Sequence, residues 1–141
     1  MTKFRKNVKK YFGAFSILLV SAIVSQGPVM AGMQETEAAM IVDQYMQALM
    51  QGDTIALQGS LSEDYLKTKK STFENPNYAQ FLQKIYVNAN YKILAINPQN
   101  KGMLGVDVSV SYPGQESSNF SLWLKDQGKG LRIFMETELN N

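Results

Sequence analysis

Between Glu35 and Gln51 the apolar residues fall at Ala38, Val42, Tyr45, Met46 and Leu49, the i, i+4, i+7, i+8, i+11 spacing of one helical face. Gly52 stops this helix. Asp53 then caps a short second one through Leu57, its carboxylate placed to accept from the N–H of Ile55 or Ala56. Ser62 reads as a third cap, with Glu63 and Asp64 in the first turn and Lys67, Lys69 and Lys70 near the end, so charge complements the helix dipole at both termini. Ser71 to Asn77 reads as a connection. Pro76 suits the first turn of a further helix, along which Tyr78, Phe81, Leu82 and Ile85 repeat toward Asn88 or Asn90.

From Tyr91 onward the period falls from about 3.6 to 2, which predicts strands. Tyr91 to Ile96 forms the first, with an ambiguous inward face, and ends in the turn cluster Asn97 to Gly102. In the second, Leu104, Val106, Val108, Val110 and Tyr112 alternate with Gly105, Asp107, Ser109 and Ser111, one face buried and one wet. Pro113-Gly114 ends it. Asn119 to Lys125 places Phe120, Leu122 and Leu124 on one side, and Leu131 to Thr137 does the same with Leu131, Ile133 and Met135 across the Asp126–Gly130 hairpin. Apolar faces coincide if Val110 pairs with Phe120, Val108 with Leu122, Val106 with Leu124, Leu122 with Met135 and Leu124 with Ile133. That register sets Asp107, Trp123 and Phe134 side by side on the polar face, among Ser109, Ser121, Lys125, Arg132 and Glu136.

The fold class is therefore α+β, N-terminal helices packed on a four-stranded antiparallel sheet. The first 31 residues carry a different pattern. Lys3, Arg5, Lys6, Lys9 and Lys10 precede a mostly apolar run from Tyr11 to Val24, and Val29-Met30-Ala31 fits small-x-small cleavage, with Gly27 and Pro28 favouring an extended exit. Residues 1–31 read as a cleavable signal peptide and 32–141 as one domain, exported to the periplasm or beyond the cell. The run is too short to span a bilayer without including Ser25 to Pro28, so no membrane association is expected after cleavage.

This changes the meaning of the charge. The whole chain has 14 basic and 12 acidic residues, but five cations leave with the signal and every acid stays, so the mature domain is mildly acidic at about −3. A nucleic-acid partner is not expected, because the remaining cation cluster, Lys67, Lys69 and Lys70, already serves a helix end. The chain has no cysteine and no histidine, which removes disulfides, the usual ligands for zinc, copper and haem, and His- or Cys-based catalysis. No metal or cofactor is expected, and the chain reads as a non-enzyme.

Ala39-x-x-Val42-x-x-Tyr45-x-x-Ala48-Leu49-x-x-Gly52-Asp53, followed by Leu57, Leu61-Ser62 and the downstream meander, resembles the nuclear transport factor 2-like (cystatin-like cone) superfamily over about Thr36 to Glu138. The resemblance implies a cone-like α+β fold, with a curved sheet wrapped on a long N-terminal helix. It does not imply one function, since members include isomerases, cyclases, dehydratases, immunity proteins and binding subunits. The two strands that larger members insert before the position of Pro76 have no counterpart here.

Two sites follow. Tyr45, Tyr65, Tyr78 and Tyr86 could offer phenols to a small apolar ligand in a cavity between helices and sheet. Trp123 and Phe134, with Asp107 beside them, offer aromatic anchors on a polar sheet face, for a protein partner or a second copy; outer-face dimers are common in the resembled superfamily. An isomerase-type tyrosine donor would need a carboxylate base. Asp43, two residues from Tyr45, points around the helix from it, and Asp107 lies on the wet face, so no catalytic residue is assigned. The expected role is an exported binding or accessory module acting through its outer sheet face. The alternatives are a small-molecule or isomerase-like pocket protein, and an immunity or inhibitor protein for a secreted partner.

Overall fold

The computed structural model describes residues 29–140, with side chains from Gly32 onward. Helix α1 spans Val29–Gln51, α2 Thr54–Ser60, α3 Glu63–Thr68, α4 Lys70–Phe73 and α5 Tyr78–Ile85. Strands β1 (Asn90–Pro98), β2 (Met103–Ser111), β3 (Ser118–Asp126) and β4 (Leu131–Glu138) follow as an open antiparallel meander in sequential order. The chain divides at Thr36/Glu37 into two compact units. The described part of the first is the opening turns of α1, where Thr36 Oγ1 donates to the Gly32 carbonyl at 2.9 Å. The second carries the remaining elements and the core.

Local chemistry explains the helix ends. Gly52 leaves α1 with φ +69°, a left-handed conformation that favours glycine. Asp53 caps α2 by accepting from Ala56 N at 3.0 Å, and Ser62 caps α3 by accepting from Tyr65 N at 3.2 Å. Several boundaries differ from the sequence reading: α2 runs on to Ser60, α3 ends at Thr68, and α5 starts at Tyr78 and stops at Ile85 rather than near Asn88. A helical turn, α4, occupies part of the Ser71–Asn77 connection. Helix α1 begins at Val29 rather than Glu35, so it takes in the backbone of Val29-Met30-Ala31; residues 1–28 of the expected signal, Gly27 and Pro28 included, lie outside the described residues. No helix among the described residues is long and apolar enough to cross a membrane.

One hydrophobic cluster joins Ala38, Val42, Tyr45, Met46 and Leu49 of α1, Leu57 and Leu61, and Leu104, Val106, Val108, Val110, Leu122, Leu124, Leu131 and Ile133 of the sheet. Ser62 N donates to the Ile133 carbonyl at 2.8 Å, which ties the α2–α3 junction to β4. The Glu37 carboxylate accepts from Leu131 N at 3.1 Å beside the β3–β4 hairpin.

Strand registers correct the sequence reading in three places. Val108 faces Phe120, Val106 faces Leu122 and Leu104 faces Leu124, two residues away from the expected β2–β3 pairing. A slip of two keeps every side chain on its face, so the matching of apolar faces does not exclude it. In β1 the ladder shifts between Ile93 and Ala95, leaving Leu94 as the extra residue and 49% exposed. Ile93 before the bulge and Ile96 after it both pack on the core, which is why no single parity described this strand.

The third correction positions the site. Leu124 pairs with Ile133 as expected, but Trp123 pairs with Met135 and Leu122 with Glu136, so Phe134 is the extra residue of a bulge. Parity reverses there. Leu131 and Ile133 face the core before it, and Glu136 and Glu138 share the face of Leu122 and Phe120 after it. Met135 turns to the outer face. The expected row Asp107, Trp123, Phe134 is thereby broken up: Asp107 sits opposite Ser121, Trp123 sits opposite Gly105 and Met135, and Glu136 leaves the polar face.

Candidate functional site: a tyrosine-walled cavity with a carboxylate edge

Each side of the candidate site is supplied by a different element. The buried face of α1 carries Tyr45 and Leu49. The capped start of α3 places Tyr65, and its C-terminus places Lys69; Thr72 and Phe73 come from α4, Tyr78 from the start of α5 and Tyr86 from its end. Past the end of β2 stands Tyr112, at the start of β3 Ser118 and Phe120, and at the end of β4 the bulge delivers Glu136 and Glu138. Together they line an open-mouthed cavity of about 240 Å3. Five of the chain's seven tyrosines lie on it, so the phenols are concentrated here rather than scattered over the surface.

The walls pack ring on ring. Phe73 and Tyr78 meet edge to face with centroids 5.6 Å apart, and Tyr86 and Tyr112 lie 6.1 Å apart. Lys69 Nζ stands over the Tyr65 ring, 5.4 Å from its centroid. The other lysines of the cluster are engaged on the helix surface, Lys67 with Asp64 at 3.1 Å and Lys70 with Glu74 at 3.6 Å.

Burial pushes the Tyr45 hydroxyl well above the ordinary tyrosine range, and the Glu136 charge pushes it further. Burial, then the same carboxylate, raises Tyr65 and Tyr78; Tyr86 is raised by burial, then by Tyr112 and Glu136. These four phenols therefore stay protonated at neutral pH and act as neutral hydrogen-bonding groups. The Glu136 carboxyl is itself raised by its partial burial; Lys69 pulls it down, Glu138 pushes it up, and a hydrogen bond from Tyr45 pulls it down.

A stability consequence follows. In the native state Glu136 holds its proton to higher pH than in the unfolded chain, so its contribution is most favourable below the unfolded value and is lost as pH rises through the folded one. Glu136→Gln is expected to raise the melting temperature at pH 7, with the gain over wild type shrinking to nothing below about pH 4, near the ordinary glutamate pKa. Thermal melts of both proteins across that range check it.

The four tyrosines singled out from the sequence, Tyr45, Tyr65, Tyr78 and Tyr86, all line this cavity. Sequence reasoning did not include Tyr112, Glu136 or Glu138, and it assigned Lys69 to a helix dipole alone. The sequence reading sets Glu136 on the polar face, and Glu138 falls beyond the expected strand end at Thr137. Asp43 is not on the cavity: it accepts from the Tyr91 hydroxyl through Oδ1 and from Gln47 Nε2 at 2.8 Å through Oδ2, joining β1 to α1. Asp107 is held on the outer face by Ser121 Oγ and by Asn97 Nδ2 at 3.0 Å.

The other sequence candidates sit on that outer face. Trp123 lies flat on Gly105, where a Cβ would meet the indole at 3.2 Å, and its Nε1 donates to Thr137 Oγ1 at 3.0 Å. Phe134 is half-buried at the bulge, and Met135 beside it is 39% exposed. Since packing and hydrogen bonding of Trp123 are satisfied within the sheet, Trp123→Ser is expected to cost about 1–2 kcal/mol in denaturant unfolding and to leave a monomer a monomer. Light scattering checks the second part: a wild-type dimer that the substitution dissociates would make this face an interface.

A broader groove of about 460 Å3, lined by Gln44, Gln47, Gln51, Asp53 and Arg132 among others, is larger than the tyrosine cavity but built mostly from exposed side chains. Arg132 there donates from Nη1 to its neighbour's carbonyl, Leu131 O, at 2.7 Å. The smaller cavity gathers aromatic bodies and charged tips on one volume, which makes it the stronger candidate. A scan of protein-family models and a search of curated proteins return no match for this chain.

Proposed function

We propose that the protein binds a small molecule in the tyrosine-walled cavity. The observation that carries this is convergence: five phenols, two carboxylates and one lysine, drawn from α1, α3, α5, β4 and the residues just past α3, α5 and β2, line a single volume of about 240 Å3. Such a concentration of polar tips on aromatic bodies suits a ligand with an apolar frame and a few polar atoms. Among the sequence alternatives, this is the small-molecule pocket reading, preferred over an outer-face partner because the outer-face Trp123 is already satisfied within its own sheet. Asp43 and Asp107, the carboxylates weighed from the sequence as bases, are engaged elsewhere and do not line the cavity.

The order of helices followed by a meander supports the resemblance to the nuclear transport factor 2-like superfamily. The basic start and apolar run of the leader support an exported role. In that setting the protein is a small binding module that captures or presents its ligand outside the cytoplasm.

Filling the cavity tests the proposal. Ser118 is exposed at the start of β3 and borders the opening, so Ser118→Trp adds an indole without disturbing the core and is expected to change stability by no more than about 0.5 kcal/mol. Ligand-observed NMR against a library of small aromatic fragments is expected to find binders to wild type that the variant loses. Binders that survive Ser118→Trp undiminished, or a library with no binder, would count against the cavity.

A further inference from the structure

The cavity is unbalanced in charge. Glu136 and Glu138 reach it from one strand end, against a single cation, Lys69. That lysine does not close on either carboxylate within ion-pair distance; it stands over the Tyr65 face instead. The structure therefore already displays a cation over an aromatic wall at this site, and neither carboxylate has a lysine or arginine within ion-pair distance among the described residues. The remaining walls, Tyr45, Tyr78, Tyr86, Tyr112 and Phe120, present π faces and neutral hydroxyls.

We infer that the ligand is an organic cation, an ammonium group carried on a small apolar body, seated between the carboxylates and the tyrosine rings; the inference rests on the cavity being a ligand site. Aromatic faces attract a cation through their quadrupole, most strongly where water is excluded. A carboxylate pair adds the counter-charge, and the protonated phenols accept hydrogen bonds from any N–H the ligand carries. An anion would enter against two like charges. A neutral ligand would cover part of Glu136 without supplying a charge partner, and displacing water from a carboxylate without replacing it is unfavourable. The volume limits the apolar body to a few carbon atoms or one ring.

Three probes of one shape separate these classes: choline; 3,3-dimethylbutan-1-ol, in which carbon replaces the quaternary nitrogen; and 3,3-dimethylbutanoate, the anion on the same frame. Calorimetric titration of the full chain is expected to show choline binding about tenfold or more tighter than the alcohol, with no binding of the anion. Glu136→Gln and Glu138→Gln are each expected to reduce choline affinity severalfold while leaving the alcohol unchanged. Lys69→Met, which removes the resident cation, is expected to raise choline affinity. The opposite signs keep the test sound even if one variant folds poorly.

Equal or tighter binding of the alcohol or the anion, lost in Ser118→Trp, would overturn the cationic ligand and leave the cavity reading intact. Failure of all three probes would overturn the cationic ligand, and the cavity would then stand or fall on the fragment experiment.

Discussion

Leu122→Ala is expected to destabilise the protein by about 3–4 kcal/mol, the largest effect among the substitutions considered. Leu122 is fully buried at the middle of β3, flanked by Val106 on β2 and by the post-bulge segment of β4, and belongs to the cluster that α1 covers. Truncation removes buried methyl groups and leaves a void that neighbours on two paired strands are too constrained to fill. The cost therefore combines lost transfer free energy with a cavity term. In a domain of this size the melting temperature would fall by roughly 10–25 °C. Leu94→Ala is the matched control, because the same atoms are removed from a residue 49% exposed at the β1 bulge, and a change within about 0.5 kcal/mol is expected. Urea titration of the two variants checks the contrast; equal losses would mean that the apolar face of β3 is not the core.

Gly52→Ala is expected to cost about 2–4 kcal/mol, large for a single methyl group. Two terms add. The residue has φ +69°, where any Cβ is strained by about 1 kcal/mol. Beyond that, the new Cβ would lie 2.7 Å from the Ala79 carbonyl oxygen and 2.9 Å from Gln83 Cγ, so α5 must shift or the α1–α2 turn must open. Gln83 Nε2 also donates to the Gln51 carbonyl at 3.0 Å, a hydrogen bond that any such shift would disturb. Gly114 separates the terms: it has the same φ, +69°, with nothing near its Cβ position, so Gly114→Ala should show the strain alone, about 1 kcal/mol. A difference between the two variants in chemical denaturation measures the clash. Because Tyr78 and Tyr86 flank α5, ligand binding in Gly52→Ala should weaken along with stability.

The features legible in the chain were those set within a few residues. Asp53 and Ser62 cap their helices as their positions predicted, since a cap joins a side chain to an N–H only three residues on. The change of period at Tyr91 announced the meander, and every strand lies within two residues of its expected bounds. Ala38, Val42, Tyr45, Met46 and Leu49, read as one helical face, are all buried.

Strand registers and bulges were not legible, for a definite reason. A pairing that slips by two preserves faces, so the alternation of Leu104 to Val110 was compatible with more than one partner for each residue. A bulge is an extra residue with no compositional mark of its own. Leu94 and Phe134 are apolar like their neighbours, and nothing in either identity announces the reversal of parity.

By itself, then, the sequence determined the α+β class, the helix caps, the buried stripe of α1, and the residue types from which a site could be built, with histidine and cysteine chemistry absent. Tertiary structure alone decided what that site contains. The four tyrosines gather because α1, α3 and α5 close over one end of the sheet, and Glu136 and Glu138 join them because the bulge at Phe134 turns the end of β4 over by half a period. Local propensity acts over three or four residues, whereas the parity of a strand end is settled by the partner strand and the layer packed against it. The charge of the cavity depends on that second kind of contact.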